Sequence, residues 1–351
     1  CFPKKQPLDV YEAIIKHALS FATAAHLNRP LFLSCLEETA TLMFWLLAQE
    51  EVAQWITKDA SFKKQIIQKI TEQGLNQILD HKNLLCLLFS TPIYETMWDS
   101  LNDKITKAGM SCTSGLGTPL LILCKSEAGI KFLTKHWKSL LKKIDKRLFI
   151  EEGIETGRTP FYVLCYAIEG RQLLKDHWAD VKCLITTASL SQSDTIKGPT
   201  TGTTPLYTLF VTVSGLEILN VYWSYFKGLI TKASFNQPIT GEGPDTGVTP
   251  FFLLCRNENG VPFLKDHWED IKGLITEASL NQPVTGEGAE KGKTPLDCLS
   301  DSSIGHELTR RLKHLNFKHV VAEKGFFGAD VVPPDTSGAK GPDTSLSGPN
   351  G

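Results

Sequence analysis

Gly247-Val-Thr-Pro-Phe-Phe-Leu-Leu-Cys255 is one of five copies of a phrase built on Thr-Pro. The pairs of these five copies stand at Thr118-Pro119, Thr159-Pro160, Thr204-Pro205, Thr249-Pro250 and Thr294-Pro295, at intervals of 41, 45, 45 and 45 residues. A fixed interval of that size marks stacked repeats, in which each unit buries its apolar face against its neighbours. Thr-Pro is also a helix start. The threonine hydroxyl accepts from a free amide of the first turn, and proline lacks an amide hydrogen where none is needed. The phrase predicts the beginning of a helix, five times over.

The unit from Thr249 to Lys293 carries the pattern through. A first helix is predicted to about Asn259, with Gly260 as the turn. From Pro262 a longer second helix places Phe263, Leu264, Trp268, Ile271, Leu274 and Ile275 on one apolar stripe. Asn281 to Gly288 is rich in turn residues and reads as a projecting loop that leads to the next Thr-Pro.

Working outward, residues 118–293 hold four clear units, and residues 294–327 a closing one whose Arg310, Arg311, Lys313 and His314 suit an exposed cap. Residues 37–117 hold two eroded units. There Thr41 to Ala48 parallels Thr249 to Cys255, Ile70 to Gln77 parallels Ile275 to Gln282, and Trp98 to Ala108 parallels Trp268 to Ala278. Residues 1–36 read as an N-terminal capping region, with apolar residues at helical spacing from Leu8 to Leu27. Residues 328–351 are rich in Pro, Gly, Ser, Thr and Asp with little to bury, and read as a disordered tail. The fold class is therefore all-α, a solenoid of about seven helix-turn-helix units. The chain opens at Cys1 without an initiator methionine or apolar leader and reads as a fragment of a longer protein.

A net charge of -1 argues against a nucleic-acid binder driven by bulk electrostatics. No apolar run approaches the length of a membrane span; the longest is Leu42 to Ala48. Nine cysteines, an odd number without a Cys-x-x-Cys pair, do not read as a disulfide framework or a zinc site. Cys124, Cys165 and Cys255 recur six residues after the Thr, where Phe210 and Ser300 stand in the other units. A thiol interchangeable with Phe or Ser is a small core filler, and free thiols suit a reducing, cytoplasmic compartment.

Two features imitate chemistry. His136-Trp137, His177-Trp178 and His267-Trp268 recur at one position, with Tyr222-Trp223 in the remaining unit. Equivalent positions of stacked helices lie about 8–10 Å apart, too far for two of these rings to share a zinc ion at about 2 Å per ligand. The pairs read as packing between units. Glu287 to Thr294 resembles a phosphate-binding loop, but Glu287 stands where its first glycine is required, and Pro295 comes next. No catalytic grouping, cofactor site or metal site is expected. Differences between units remain. Three and seven residues after the Thr stand Tyr162 with Tyr166, Tyr207 with Val211, and Phe252 with Arg256. Positions four apart share a helix face, and Tyr and Arg are favoured contact residues. Tyr162, Tyr166, Tyr207, Phe252 and Arg256 are the candidate partner-binding residues.

Gly117 to Leu120, Gly202 to Leu206 and Gly292 to Leu296, each leading into two helices and a loop, resemble the ankyrin repeat. Ala278-Ser-Leu-Asn281 resembles the phrase that closes an ankyrin helix pair. The departures are a longer period than the ankyrin 33 residues, the absence of His after Thr-Pro-Leu, and the added His-Trp. The chain is thus similar to a divergent, enlarged ankyrin-type array, as in ankyrin-repeat effectors of intracellular bacteria. That resemblance implies a non-catalytic scaffold that binds a protein along the first-helix groove and loops, in a host-cell cytoplasm. The alternative is the targeting region of an effector enzyme whose catalytic part precedes Cys1.

Overall fold

Each of the five repeated Thr-Pro pairs does start a helix. In a computed structural model of the protein, the hydroxyls of Thr118, Thr159, Thr204, Thr249 and Thr294 accept from the amides of Leu121, Tyr162, Tyr207, Phe252 and Asp297 at 3.0–3.3 Å. The first four threonines are buried, so the hydroxyl satisfies an amide that water cannot reach. At Thr294, which is less enclosed, the Asp297 carboxylate accepts from the Thr294 amide at 2.8 Å and closes a capping box.

The structure describes residues 30–33, 38–41, 56–76, 78–79, 82–91, 93–114, 117–153, 157–300 and 303–313. The expected capping helix at Leu8 to Leu27, the phrase after Thr41 and the expected tail lie outside them. The described chain is predominantly helical, with two short antiparallel pairs, Pro30–Leu33 with Glu38–Thr41 and Ile78–Leu79 with Lys82–Asn83.

The first helices are Pro119–Cys124, Pro160–Tyr166, Pro205–Val211, Pro250–Arg256 and Pro295–Leu299. They end several residues before the expected limit, and Gly260 is not a turn: it opens the second helix, Gly260–Asp266. A Cβ on Gly260 would stand 2.4 Å from the Leu254 carbonyl oxygen. Gly129, Gly170 and Gly215, each eleven residues after its Thr, meet Leu123, Leu164 and Leu209 at 2.1–2.4 Å in the same way. Glycine at this position lets the two helices of a unit cross with backbone against backbone.

The second helix differs again from expectation. In the Thr118 unit it runs unbroken as Glu127–Leu141, but the next three units stop and restart at a single residue. His177 separates Ile168–Asp176 from Trp178–Val181, Tyr222 separates Val213–Val221 from Trp223–Phe226, and His267 separates Gly260–Asp266 from Trp268–Ile271. Each of these four units adds a third short helix, Lys146–Ile150, Thr187–Ser191, Lys232–Phe235 or Glu277–Leu280, capped by Asp145, Thr186, Thr231 or Thr276.

First helices pack on first helices and second on second through all five units, and Leu84–Ser90 packs on Pro119–Cys124 in front of them. One apolar cluster accordingly runs from Ile56 to Leu312. The loops are joined as well. The amides of Thr240 and Gly241 donate to the Thr201 carbonyl at 3.0 and 2.8 Å, and those of Thr285 and Gly286 to the Thr246 carbonyl at 2.9 Å each. Glycine is required there: a Cβ on Gly241 or Gly286 would meet the Gly198 or Gly243 oxygen at 2.1 or 2.2 Å. The loops expected to project lie stacked one on the next.

Candidate functional site

The five expected contact residues separate into two classes. Tyr162, Tyr207 and Phe252 are buried, at 2%, 7% and 1% exposure, and are not available to a partner. The reason lies in the adjoining unit. The Tyr162 hydroxyl shares a 2.7 Å hydrogen bond with the Thr203 hydroxyl, so the next loop covers the ring. The Arg158 guanidinium stands 5.5 Å above the same ring, and Tyr166 lies parallel to it at 6.3 Å. Arg256 covers Phe252 at 5.9 Å and reaches Asp245 at 3.9 Å. Burial pushes the Tyr162 and Tyr207 phenols above their ordinary range. Tyr166 and Arg256 are exposed.

Burial of Tyr162 is anchored by a charged cluster that no sequence pattern announces. Asp194 is 1% exposed, and its carboxylate accepts from Arg158 Nε at 2.9 Å, the Thr200 hydroxyl at 2.9 Å and the Ile196 amide at 3.0 Å. Arg158 also donates to the Thr200 hydroxyl at 3.1 Å. With the acceptor sites filled and the charge opposed, the buried carboxylate holds the loop onto the preceding unit.

Tyr166 has neighbours that the pairwise pattern does not include. Among the described residues the exposed large hydrophobics are Tyr166, Ile168, Val211, Val213 and Val221. The first four stand seven and nine residues after Thr159 and Thr204, at the same two positions of consecutive units whose first helices pack together. The corresponding residues on either side are charged: Lys125 with Glu127, and Arg256 with Glu258. An apolar strip two units wide therefore crosses the array between charged margins. It lies where first helix passes into second, about 10 Å along the helix axis from the loops. Comparing the units at the ninth position would have found it, because Glu, Ile, Val, Glu changes character where packing does not require it.

The strip has a firm base. Arg171, 5% exposed, donates from Nη1 to the carbonyls of Cys165 and Tyr166 at 2.8 and 2.6 Å, and from Nε to the Ser214 hydroxyl at 2.6 Å. One guanidinium thus closes the end of the first helix and ties the Thr159 unit to the Thr204 unit.

The His-Trp pairs form a ladder between units. Trp98 faces His136 at 5.4 Å, Trp137 stacks on His177 at 5.4 Å, Trp178 on Tyr222 at 4.1 Å, and Trp223 meets His267 at 4.9 Å. Each tryptophan is thus met by the ring that precedes the next tryptophan. His267 also bonds to Asn220 Oδ1 at 2.8 Å, and Trp223 Nε1 donates to Asp270 at 2.9 Å. Burial lowers the pKa of His136 and His267. Cys124, Cys165 and Cys255 are wholly enclosed, and burial pushes their thiols well up. Among the described residues no three His, Cys, Asp or Glu side chains are placed to hold a metal ion, and no helix is long and apolar enough to cross a membrane. Comparison with protein-family models, curated proteins and solved structures returned no match.

Proposed function

We propose that the chain is an ankyrin-type solenoid that acts as a non-catalytic scaffold, binding a protein partner on the strip formed by Tyr166, Ile168, Val211 and Val213. The observation that carries this reading is the exposure of four large apolar side chains at matched positions of two adjacent units. Leaving such side chains in water forgoes burial worth about 1.5–3 kcal/mol each, and interfaces use rigid aromatic and aliphatic anchors of this kind. The charged margins would set the ends of the contact, with Arg256 as one rim residue. Stacked helix pairs and joined loops support the ankyrin-type reading, since they hold the strip on a preformed surface. The enclosed thiols of Cys124, Cys165 and Cys255 support the reducing, cytoplasmic setting; the bacterial-effector setting rests on the resemblance alone.

The test is a full-length variant carrying Tyr166→Ser, Ile168→Ser, Val211→Ser and Val213→Ser. It should keep the helical circular dichroism and melting temperature of the parent, because the side chains removed are exposed. Affinity capture with the two proteins side by side should then show partners retained by the parent and lost by the variant. An identical set of captured proteins would remove the strip as the binding surface.

A further inference from the structure

The grooves between successive second helices are not alike. In the groove between the Thr159 and Thr204 units, Lys175 reaches across to Glu217 at 2.6 Å, and Arg171 to Ser214 at 2.6 Å. In the groove between the Thr249 and Thr294 units, Lys265 reaches across to Glu307 at 3.6 Å. Lys175 and Lys265 both stand sixteen residues after their Thr, and Glu217 and Glu307 both thirteen after theirs. The array thus fills each of these two grooves with a lysine of its own.

Between the Thr204 and Thr249 units both members of that pair are changed. The sixteenth position is Asn220 and the facing thirteenth position is Pro262. Asn220 bonds across to His267 of the next unit at 2.8 Å, and neither it nor Pro262 brings a charge to the groove. A cleft of about 260 Å³ opens there, lined by Val213, Leu216 and Asn220 on one helix and by Pro262, Phe263 and Asp266 on the next. Its floor, Leu216 and Phe263, is apolar and buried. Glu217 also lines it, already paired with Lys175 on its other side, while Asp266 is exposed and has no ion pair among the described residues. Among the described residues no cation lines the cleft.

We infer that this cleft receives a lysine or arginine side chain from a peptide segment of the partner protein, in the place that the array's own lysines take in the neighbouring grooves. The aliphatic stem of such a side chain lies on Leu216 and Phe263 while its charged head meets Asp266 and Glu217. Val213 belongs both to the cleft and to the exposed strip. A segment whose apolar side chains rest on Ile168, Val211 and Val213 therefore brings a neighbouring basic residue to the cleft. The inference rests on the binding strip proposed above and adds the charge of the occupant.

Three soluble decapeptide pools test it, each carrying two leucines and one fixed lysine, glutamine or glutamate, with Ser, Ala and Gly elsewhere. Retention on immobilised full-length protein is measured for the parent, for Asp266→Asn, for Asn220→Lys combined with Pro262→Glu, and for the four-serine variant of the strip. The parent should retain the lysine pool about fivefold over the glutamine pool, and the glutamate pool least. Asp266→Asn should erase that preference. The Asn220→Lys, Pro262→Glu protein, which rebuilds the internal pair of the neighbouring grooves, should erase it too. Equal retention of the lysine and glutamine pools by the parent, lost from both in the four-serine variant, would overturn the basic occupant and leave the strip standing. No pool held better by the parent than by the four-serine variant would overturn both.

Discussion

Replacing Gly260 by alanine probes the packing on which every unit depends. The new Cβ would stand 2.4 Å from the Leu254 oxygen and 2.7 Å from its Cα, where ordinary contact begins at 3.4 Å. Both obstacles are backbone, so no side chain can rotate away, and the two helices of the Thr249 unit must part by about 1 Å. Overpacking of that kind costs about 1–3 kcal/mol. Alanine's better helix propensity returns at most about 1 kcal/mol, so a net loss of about 1–2 kcal/mol is expected. The control is Gly273→Ala, where nothing lies within 4 Å and the backbone is not left-handed. That change should be neutral or stabilising by up to about 1 kcal/mol. Urea unfolding monitored by far-ultraviolet circular dichroism compares the two directly, and Gly129, Gly170 and Gly215 should repeat the Gly260 result. A Gly260→Ala protein as stable as the parent would refute the close helix crossing and the reason given for glycine there.

Three other contacts can be perturbed in the same way. Thr249→Val keeps the shape but removes the buried cap to Phe252, and should cost about 1–2 kcal/mol in urea unfolding while Thr249→Ser costs less. Asp194→Ala leaves Arg158 without its buried counter-charge and should cost about 3 kcal/mol; hydrogen exchange should show the loop from Asp194 to Thr203 opening first. Burial holds the folded-state pKa of His136 and His267 below the unfolded value. Their contribution to stability is therefore complete above about pH 6.5 and is lost as pH falls through the folded-state value. The melting temperature should drop between about pH 7 and pH 5, and His267→Tyr, which copies Tyr222 in the preceding unit, should make that drop smaller.

Much of this architecture is legible from the five Thr-Pro pairs, because a cap and a helix start are local properties that threonine and proline carry wherever they stand. The ladder of Trp and His rings is legible too, since interchange of His with Tyr222 is tolerated by stacking and not by metal ligation. The proposed binding surface is harder. A period of 3.6 puts positions three and seven on one helix face, which correctly groups Tyr162 with Tyr166 and Phe252 with Arg256. It carries nothing about what lies over that face. The cover comes from a loop some 40 residues away, where Thr203 meets Tyr162 and Asp194 holds Arg158, and from the seventh side chain folding over the third. Gly260 reads as a turn because a glycine that permits close approach and one that permits a reversed backbone look the same in sequence. The breaks at His177, Tyr222 and His267 carry no glycine or proline, and no local signal marks them.

The most direct measurement of the central claim places a photoreactive phenylalanine analogue, one at a time, at Ile168, Val211, Glu242 and Lys232 of the full-length protein. Irradiation in lysate and mass spectrometry of the adducts then report which surface touches a partner. One discrete adduct is expected, shared by Ile168 and Val211 and absent from Lys232 on the third helix and from Glu242 on the stacked loops. A discrete adduct formed at Glu242 or Lys232 but at neither Ile168 nor Val211 would contradict it.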